Sequence, residues 1–290
     1  LLDTCYLHGG IGVGLDDTQR RFADPGPLAW ADRASRLANS LGDAGGVRVG
    51  AAIHSVRAVD PAAMEIVGSW AAERGVPLHA HVSEQPAENE QCAAAYGRTP
   101  TGLLSDCGVL SSRFTAVHAT HLTDGDVGRL GAASCWCCFC PTTERDLADG
   151  IGPSRALRQA GARLALGSDS HAVVDLLEEA RALELDERLA RGARGSHDTA
   201  ALLRMATGHG HASLGWPDAG RIAAGCYADL TTIGLDSVRT AGTGVEHAAA
   251  VAVFAATAAD VRHVVIGGRV VVAGGRHTSI DVVDALRQVL

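Results

Sequence analysis

Apolar residues in this chain fall into short, near-continuous runs separated by longer stretches of helical or loop character. The runs Leu1–Leu7, Val47–Ile53, Val76–Val82, Phe114–Ala119, Ala132–Phe139 and Arg163–Gly167 are expected as strands. Few of them alternate apolar with polar, the pattern of strands buried on both faces. Helices are expected over Pro61–Arg74, with Pro at the start and Gly75 past the end, near Glu88–Tyr96, near Asp124–Leu130, and over Ser154–Ala160, stopped by Gly161. Repeated strand–helix units of this kind imply a parallel sheet with right-handed crossovers. Beyond residue 170 the pattern changes to a long helix, Val174–Arg191, and a second over Thr199–Thr207. From Arg221 onward short β segments are expected at Ala228–Ile233, Val251–Phe254, Val261–Ile266 and Arg269–Val272, the last two joined by a Gly267-Gly268 hairpin. A helix over Val282–Val289 closes the chain.

The placement of polar residues selects the fold. His54, His81 with Glu84, His118 and Asp169 each stand at the C-terminal end of a different expected strand. Sites of (β/α)8 barrels are assembled from those ends. A doubly wound sheet would place a phosphate-binding Gly-x-Gly-x-x-Gly after its first strand. His8-Gly9-Gly10-Ile11-Gly12-Val13-Gly14 does not fit that pattern and reads as a loop at the barrel top. The expected class is therefore α/β, a TIM-type barrel over 1–220, with a small β domain and closing helix over 221–290.

The segment His79-Ala80-His81-Val82-Ser83-Glu84-Gln85 is the densest in chemistry. Residues i and i+2 of a strand share a face, so His79 and His81 point the same way, and Glu84 follows just past the strand end. A metal ligand beside a proton carrier is one reading, and a pair of hydrogen-bonded core histidines is the other. Three further strand ends bearing His54, His118 and Asp169 favour a metal-assisted hydrolytic site.

Composition narrows the partners. The net charge is −8, from 25 basic and 33 acidic residues with no polybasic run, which argues against nucleic acid and anionic membranes. A small anionic substrate stays compatible, because local charge in a cleft outweighs the sum. No apolar run reaches the roughly eighteen residues of a membrane span, and no leader pattern opens the chain. Of eight cysteines, four crowd into Cys135-Trp136-Cys137-Cys138-Phe139-Cys140. One strand throws alternate residues to opposite faces, so these four cannot surround one zinc, and they are expected as small buried thiols of a cytoplasmic protein.

The chain resembles the deaminase and chlorohydrolase branch of the amidohydrolase superfamily, and within it the formimidoylglutamate deiminases. The branch's His-x-x-Glu and Ser-Asp-Ser appear as His81–Glu84 and Ser168-Asp169-Ser170, and Val117-His118-Ala119-Thr120-His121 also matches. His54-Ser55-Val56-Arg57 and Cys140-Pro141-Thr142-Thr143-Glu144 narrow the resemblance to the deiminases, and Gly220–Gly225 with Ala228-Asp229-Leu230 resembles the return into a β-sandwich domain. The resemblance implies a metallo-dependent hydrolase that releases ammonia from N-formimidoyl-L-glutamate, leaving N-formyl-L-glutamate, with one Zn2+ per site. It assigns the metal to His81 and Asp169, catalysis to Glu84, His118 and Asp169, and substrate binding to His54 and Arg57. His79 is left as support, and His121 and His171 lie beside the site without an assigned role. The family's His-x-His is absent from the first strand here, so two further ligands, the first two barrel strands and part of the β domain are expected upstream of Leu1. On that expectation the isolated 290-residue piece is inactive. Asp146 stands where the family pattern has Asn, and Ala148 where it has Gly. Homodimers fit the resemblance. The alternatives are a deaminase or chlorohydrolase acting on a heterocycle, or a barrel fragment without catalysis.

Overall fold

The computed structural model describes residues 1–42, 46–170 and 173–289. Six strands, β1 (Leu2–Cys5), β2 (Gly50–Ile53), β3 (Leu78–Val82), β4 (Phe114–His118), β5 (Trp136–Phe139) and β6 (Arg163–Leu166), lie side by side in sequence order. Every neighbouring pair is parallel. This is the incomplete barrel that the apolar runs predict, and each expected strand holds one observed strand. His171 lies outside the described residues.

Among the described residues up to Ser213, ten α-helices join and follow these strands: α1 (Pro27–Leu41), α2 (Pro61–Arg74), α3 (Pro86–Tyr96), α4 (Pro100–Asp106), α5 (Asp124–Ala132), α6 (Pro141–Asp146), α7 (Ser154–Ala160), α8 (Leu176–Arg191), α9 (Thr199–Arg204) and α10 (Gly210–Ser213). Local chemistry explains their ends. Asp60 caps α2 by accepting from the Ala63 N–H, and Gly75 ends it in the left-handed region. Thr123 and Asp126 form a capping box on α5. The helix expected over Thr199–Thr207 is α-helical only to Arg204 and then widens to a π turn at Met205–His209. The core lies between the sheet and these helices, around Ile53, Met64, Leu104, Phe114, Phe139, Leu164 and Leu202.

A second, antiparallel sheet has the order β10-β9-β8-β7, from β7 (Leu230–Ile233), β8 (Val261–Ile266), β9 (Arg269–Ala273) and β10 (Arg276–His277). The Gly267-Gly268 pair turns β8 into β9 with both residues at positive φ, as the hairpin reading expects. One expected strand is wrong. Val251–Phe254 lies in a helix, α11 (Ala248–Phe254). Its β-branched residues suggested a strand, but Ala252 and Val253 are buried where α11 packs on α8 and α9, and that packing overrides propensity. The closing helix is α12 (Val282–Val289). Among the described residues no helix is long and apolar enough to cross a membrane.

Candidate active site

The C-terminal ends of β2, β3, β4 and β6 bring His54, His81, Glu84, His118 and Asp169 together. At the centre is His118, fully buried, whose Nε2 lies 3.8 Å from Glu84 Oε1 and 3.6 Å from Asp169 Oδ2. The His81 ring stacks on His118 with centroids 5.6 Å apart, and His54 meets His81 edge-on at 5.1 Å. The backbone turns sharply here. Ser83, His118, Ala119 and Asp169 all have φ between 46° and 68°, a region costly for side chains other than Gly. Strain at three strand ends aims Glu84, His118 and Asp169 at one point.

The histidines are prepared for different tasks. His81 Nδ1 lies 2.7 Å from the His54 carbonyl oxygen, which accepts only, so Nδ1 carries the proton and Nε2 is left with its lone pair. Burial, reinforced by the neighbouring His118, pushes the His81 pKa down and favours the neutral ring a metal needs. Burial and then repulsion from His81 and Arg57 push His54 down to about 4. Its Nδ1 meets the Ser55 hydroxyl at 3.1 Å. His118 goes the other way. Burial opposes its charged form, but the Glu144 hydrogen bond and the carboxylates of Glu84, Glu144 and Asp169 outweigh it, and its pKa rises.

Arg57, on the loop after β2, donates from Nη2 to Glu84 Oε2 at 3.1 Å, and its Nε faces Glu88 Oε2 at 3.6 Å. Burial raises the Glu88 carboxyl despite the nearby guanidinium. Beside Arg57 opens a cleft of about 350 Å³, lined also by His8, Asp60, Tyr96 and the glycine-rich loop. That loop is tight: a Cβ on Gly9 would lie 2.5 Å from the Gly14 carbonyl oxygen. Around the site, His121 Nε2 donates to the Asp149 carbonyl at 2.6 Å and Gln85 donates to the Asp149 carboxylate at 3.0 Å. His79 is buried apart from these groups and donates from Nε2 to the Ser213 carbonyl at 3.1 Å.

Two carboxylates near the centre escaped the sequence reading. Glu88 sits in the first turn of α3, and Glu144 on α6 lies 3.3 Å from His118 Nδ1. Glu144 falls within Cys140-Pro141-Thr142-Thr143-Glu144, and that segment was its only signal. The cysteines separate as strand alternation requires: all eight are free, with Cys135 and Cys137 buried on one face and Cys138 and Cys140 on the other, beside Gly167.

A parallel sheet whose strand ends converge on histidines and carboxylates defines a class, the amidohydrolase-type barrels. The chain belongs to the amidohydrolase family, whose model matches residues 18–271. It is 33% identical to formimidoylglutamate deiminase of Pseudomonas aeruginosa over 285 residues, covering 96% of this chain and 62% of that protein. It is 31% identical to 5-methylthioadenosine/S-adenosylhomocysteine deaminase of Halobacterium salinarum, covering 91% of this chain and 60% of that one. Among solved structures, an amidohydrolase from Brucella melitensis superposes with a TM-score of 0.88 at 30% identity, over 99% of this chain and 64% of that one. An adenosine deaminase from Xanthomonas campestris, solved with bound zinc, gives 0.87 at 25% identity, over 99% and 63%. The chain thus spans about three-fifths of the length of these relatives.

Proposed function

We propose that this chain forms the site of a zinc-dependent deiminase that converts N-formimidoyl-L-glutamate and water to N-formyl-L-glutamate and ammonia. The observation that carries the hydrolytic reading is the placing of Glu84 and Asp169 carboxylates each within 4 Å of His118 Nε2, beside a His81 whose Nδ1 is tied to the His54 carbonyl. Those donors fit zinc: a neutral imidazole nitrogen and a carboxylate are both ligands it takes. His81 and Asp169 would hold the ion. Bound there, zinc supplies the acidification that lets water attack at neutral pH.

The remaining work falls to the chain. Asp169 takes the proton of the attacking water. Glu84 carries a proton to the departing nitrogen, so that ammonia leaves rather than an amide ion. His118 turns Nε2 to the attacked centre, and in its charged form, which the surrounding carboxylates favour, that nitrogen donates and stabilises the tetrahedral stage. For the substrate, Arg57 offers a guanidinium fork to a carboxylate, and His54 stands beside it as a neutral hydrogen-bonding group. An anionic amino-acid substrate suits the cleft beside Arg57, where, among the described residues, Tyr96 is the one Phe, Tyr or Trp side chain in the lining.

The second reading is deamination of an adenosine derivative, which the Halobacterium relative supports. Ammonia release from N-formimidoyl-L-glutamate, 5-methylthioadenosine and S-adenosylhomocysteine separates the two. It should be measured with zinc content on this chain and on a longer form extended upstream. The expected result is turnover of the formimino compound by the longer form. Turnover of the nucleosides alone transfers the site to the second reading, and zinc-free inactivity of both forms removes the hydrolytic one.

A further inference from the structure

Resting on that reading, we infer that Glu144 is the positioning residue that fixes the tautomer and ring angle of His118. Its Oε1 lies 3.3 Å from His118 Nδ1 and accepts from the Cys140 backbone N–H at 2.8 Å. Both side chains are almost wholly buried, at 0% and 5% exposure. A carboxylate oxygen accepts and does not donate, so this contact places a proton on Nδ1. The Cys140 amide and the first turn of α6 keep the carboxylate from rotating away. The opposite nitrogen is thereby directed at the centre. Nε2 is buried, has no hydrogen-bond partner, and stands between Glu84 and Asp169.

An unpartnered buried nitrogen is costly, and it persists where a reacting group completes it. The left-handed backbone at His118, φ 68°, allows the ring to enter this position but does not choose which nitrogen faces which way. Glu144 makes that choice. His118, Cys140 and Glu144 also present ligand-type atoms within 4.8 Å of one another. Within that cluster the hydrogen bonds on Glu144 Oε1 run to the His118 ring and to the Cys140 backbone.

The test reads the ring directly. In protein carrying 15N-labelled histidine, the signals of His118 are identified by their loss in His118→Gln. Long-range proton–nitrogen correlations, recorded at a pH where the ring is neutral, report its tautomer. The expected wild-type form carries the proton on Nδ1, and a form with the proton on Nε2 overturns the inference by itself. Glu144→Gln retains a carbonyl acceptor and should keep the Nδ1 proton, whereas Glu144→Leu should mix the tautomers. In the ammonia assay Glu144→Leu should lower kcat about 10- to 100-fold, the range for supporting residues of this kind, with KM within twofold and zinc content unchanged. Glu144→Gln should restore most of the loss. A Glu144→Leu protein that keeps the Nδ1 proton, or one that loses zinc in step with activity, sinks the proposal. If no substrate is turned over, the proposed function fails while the tautomer measurement still decides this one.

Discussion

At the scale of single residues, burial without a full set of partners sets the titration behaviour, and His197 shows it outside the site. Its Nε2 meets Ser154 Oγ at 2.8 Å, and that hydroxyl donates to Glu187 Oε1, also at 2.8 Å. Ser154 therefore accepts from His197, which puts the ring proton on Nε2 and leaves Nδ1 bare. Nδ1 is buried with no partner, so protonation would add a charged N–H that nothing accepts. Burial, and then the nearby Arg158, lower the His197 pKa. The sign follows. Below about pH 6.5 the unfolded chain binds a proton that the folded protein refuses, so stability is kept above that pH and lost as pH falls toward the depressed value. Each pH unit in that window costs at most about 1.4 kcal/mol. Urea midpoints at pH 7.5 and 5.5 should diverge more in the wild type than in His197→Gln. Equal slopes would show that this ring does not carry the effect.

At the scale of elements, the six parallel strands and their polar ends were legible because buried strands leave apolar runs and polar interruptions stand out against them. His54, His81, Glu84, His118 and Asp169 could be ordered along the chain that way. Glu144 and Glu88 could not, since a carboxylate in a first helical turn reads as an ordinary helix residue until the fold buries it. Helices α4 and α6 start with Pro but run only seven and six residues, too short to leave a pattern, whereas α1, fifteen residues with Pro at its start, carried a readable pattern and was missed. One departure from the family pattern gains a physical meaning. Ala148, where the pattern has Gly, follows the end of α6 with φ 58°. This left-handed position after a helix is the one that glycine fills without a Cβ penalty. Ala148→Gly should therefore stabilise the protein by about 1 kcal/mol, read as a rise in the urea midpoint at constant m-value. It should also hold the turn that presents Asp149 to Gln85 and His121. A lower midpoint would mean that the left-handed turn is not strained by alanine.

At the scale of the whole molecule, the question is what fastens the second sheet to the barrel, and the helix misread as a strand supplies the answer. Helix α11 precedes β8 and lies on α8 and α9, with Val253 part of the main core. Arg181 on α8 reaches across this contact. Its Nε donates to the Val253 carbonyl at 2.9 Å, its Nη2 donates to the Ala256 carbonyl, and Nη1 pairs with Glu178 at 2.8 Å. Asp175 at the start of the same helix accepts from the Ala258 N–H at 2.7 Å. These bonds end α11 against the barrel just before β8 begins. Arg181 is 17% exposed, so removing it strands two carbonyl oxygens away from full solvation. Arg181→Ala should cost about 2 to 3 kcal/mol, the range for losing hydrogen bonds from a charged group. The loss should appear first as proteolytic cutting near residues 255–260, before the barrel signal from Trp30, Trp70 and Trp136 changes. Arg181→Lys, which keeps one donor but not the fork, should fall between the two. If all three proteins are cut and unfolded alike, α11 is held by its apolar face alone and the guanidinium has no part in joining the two sheets.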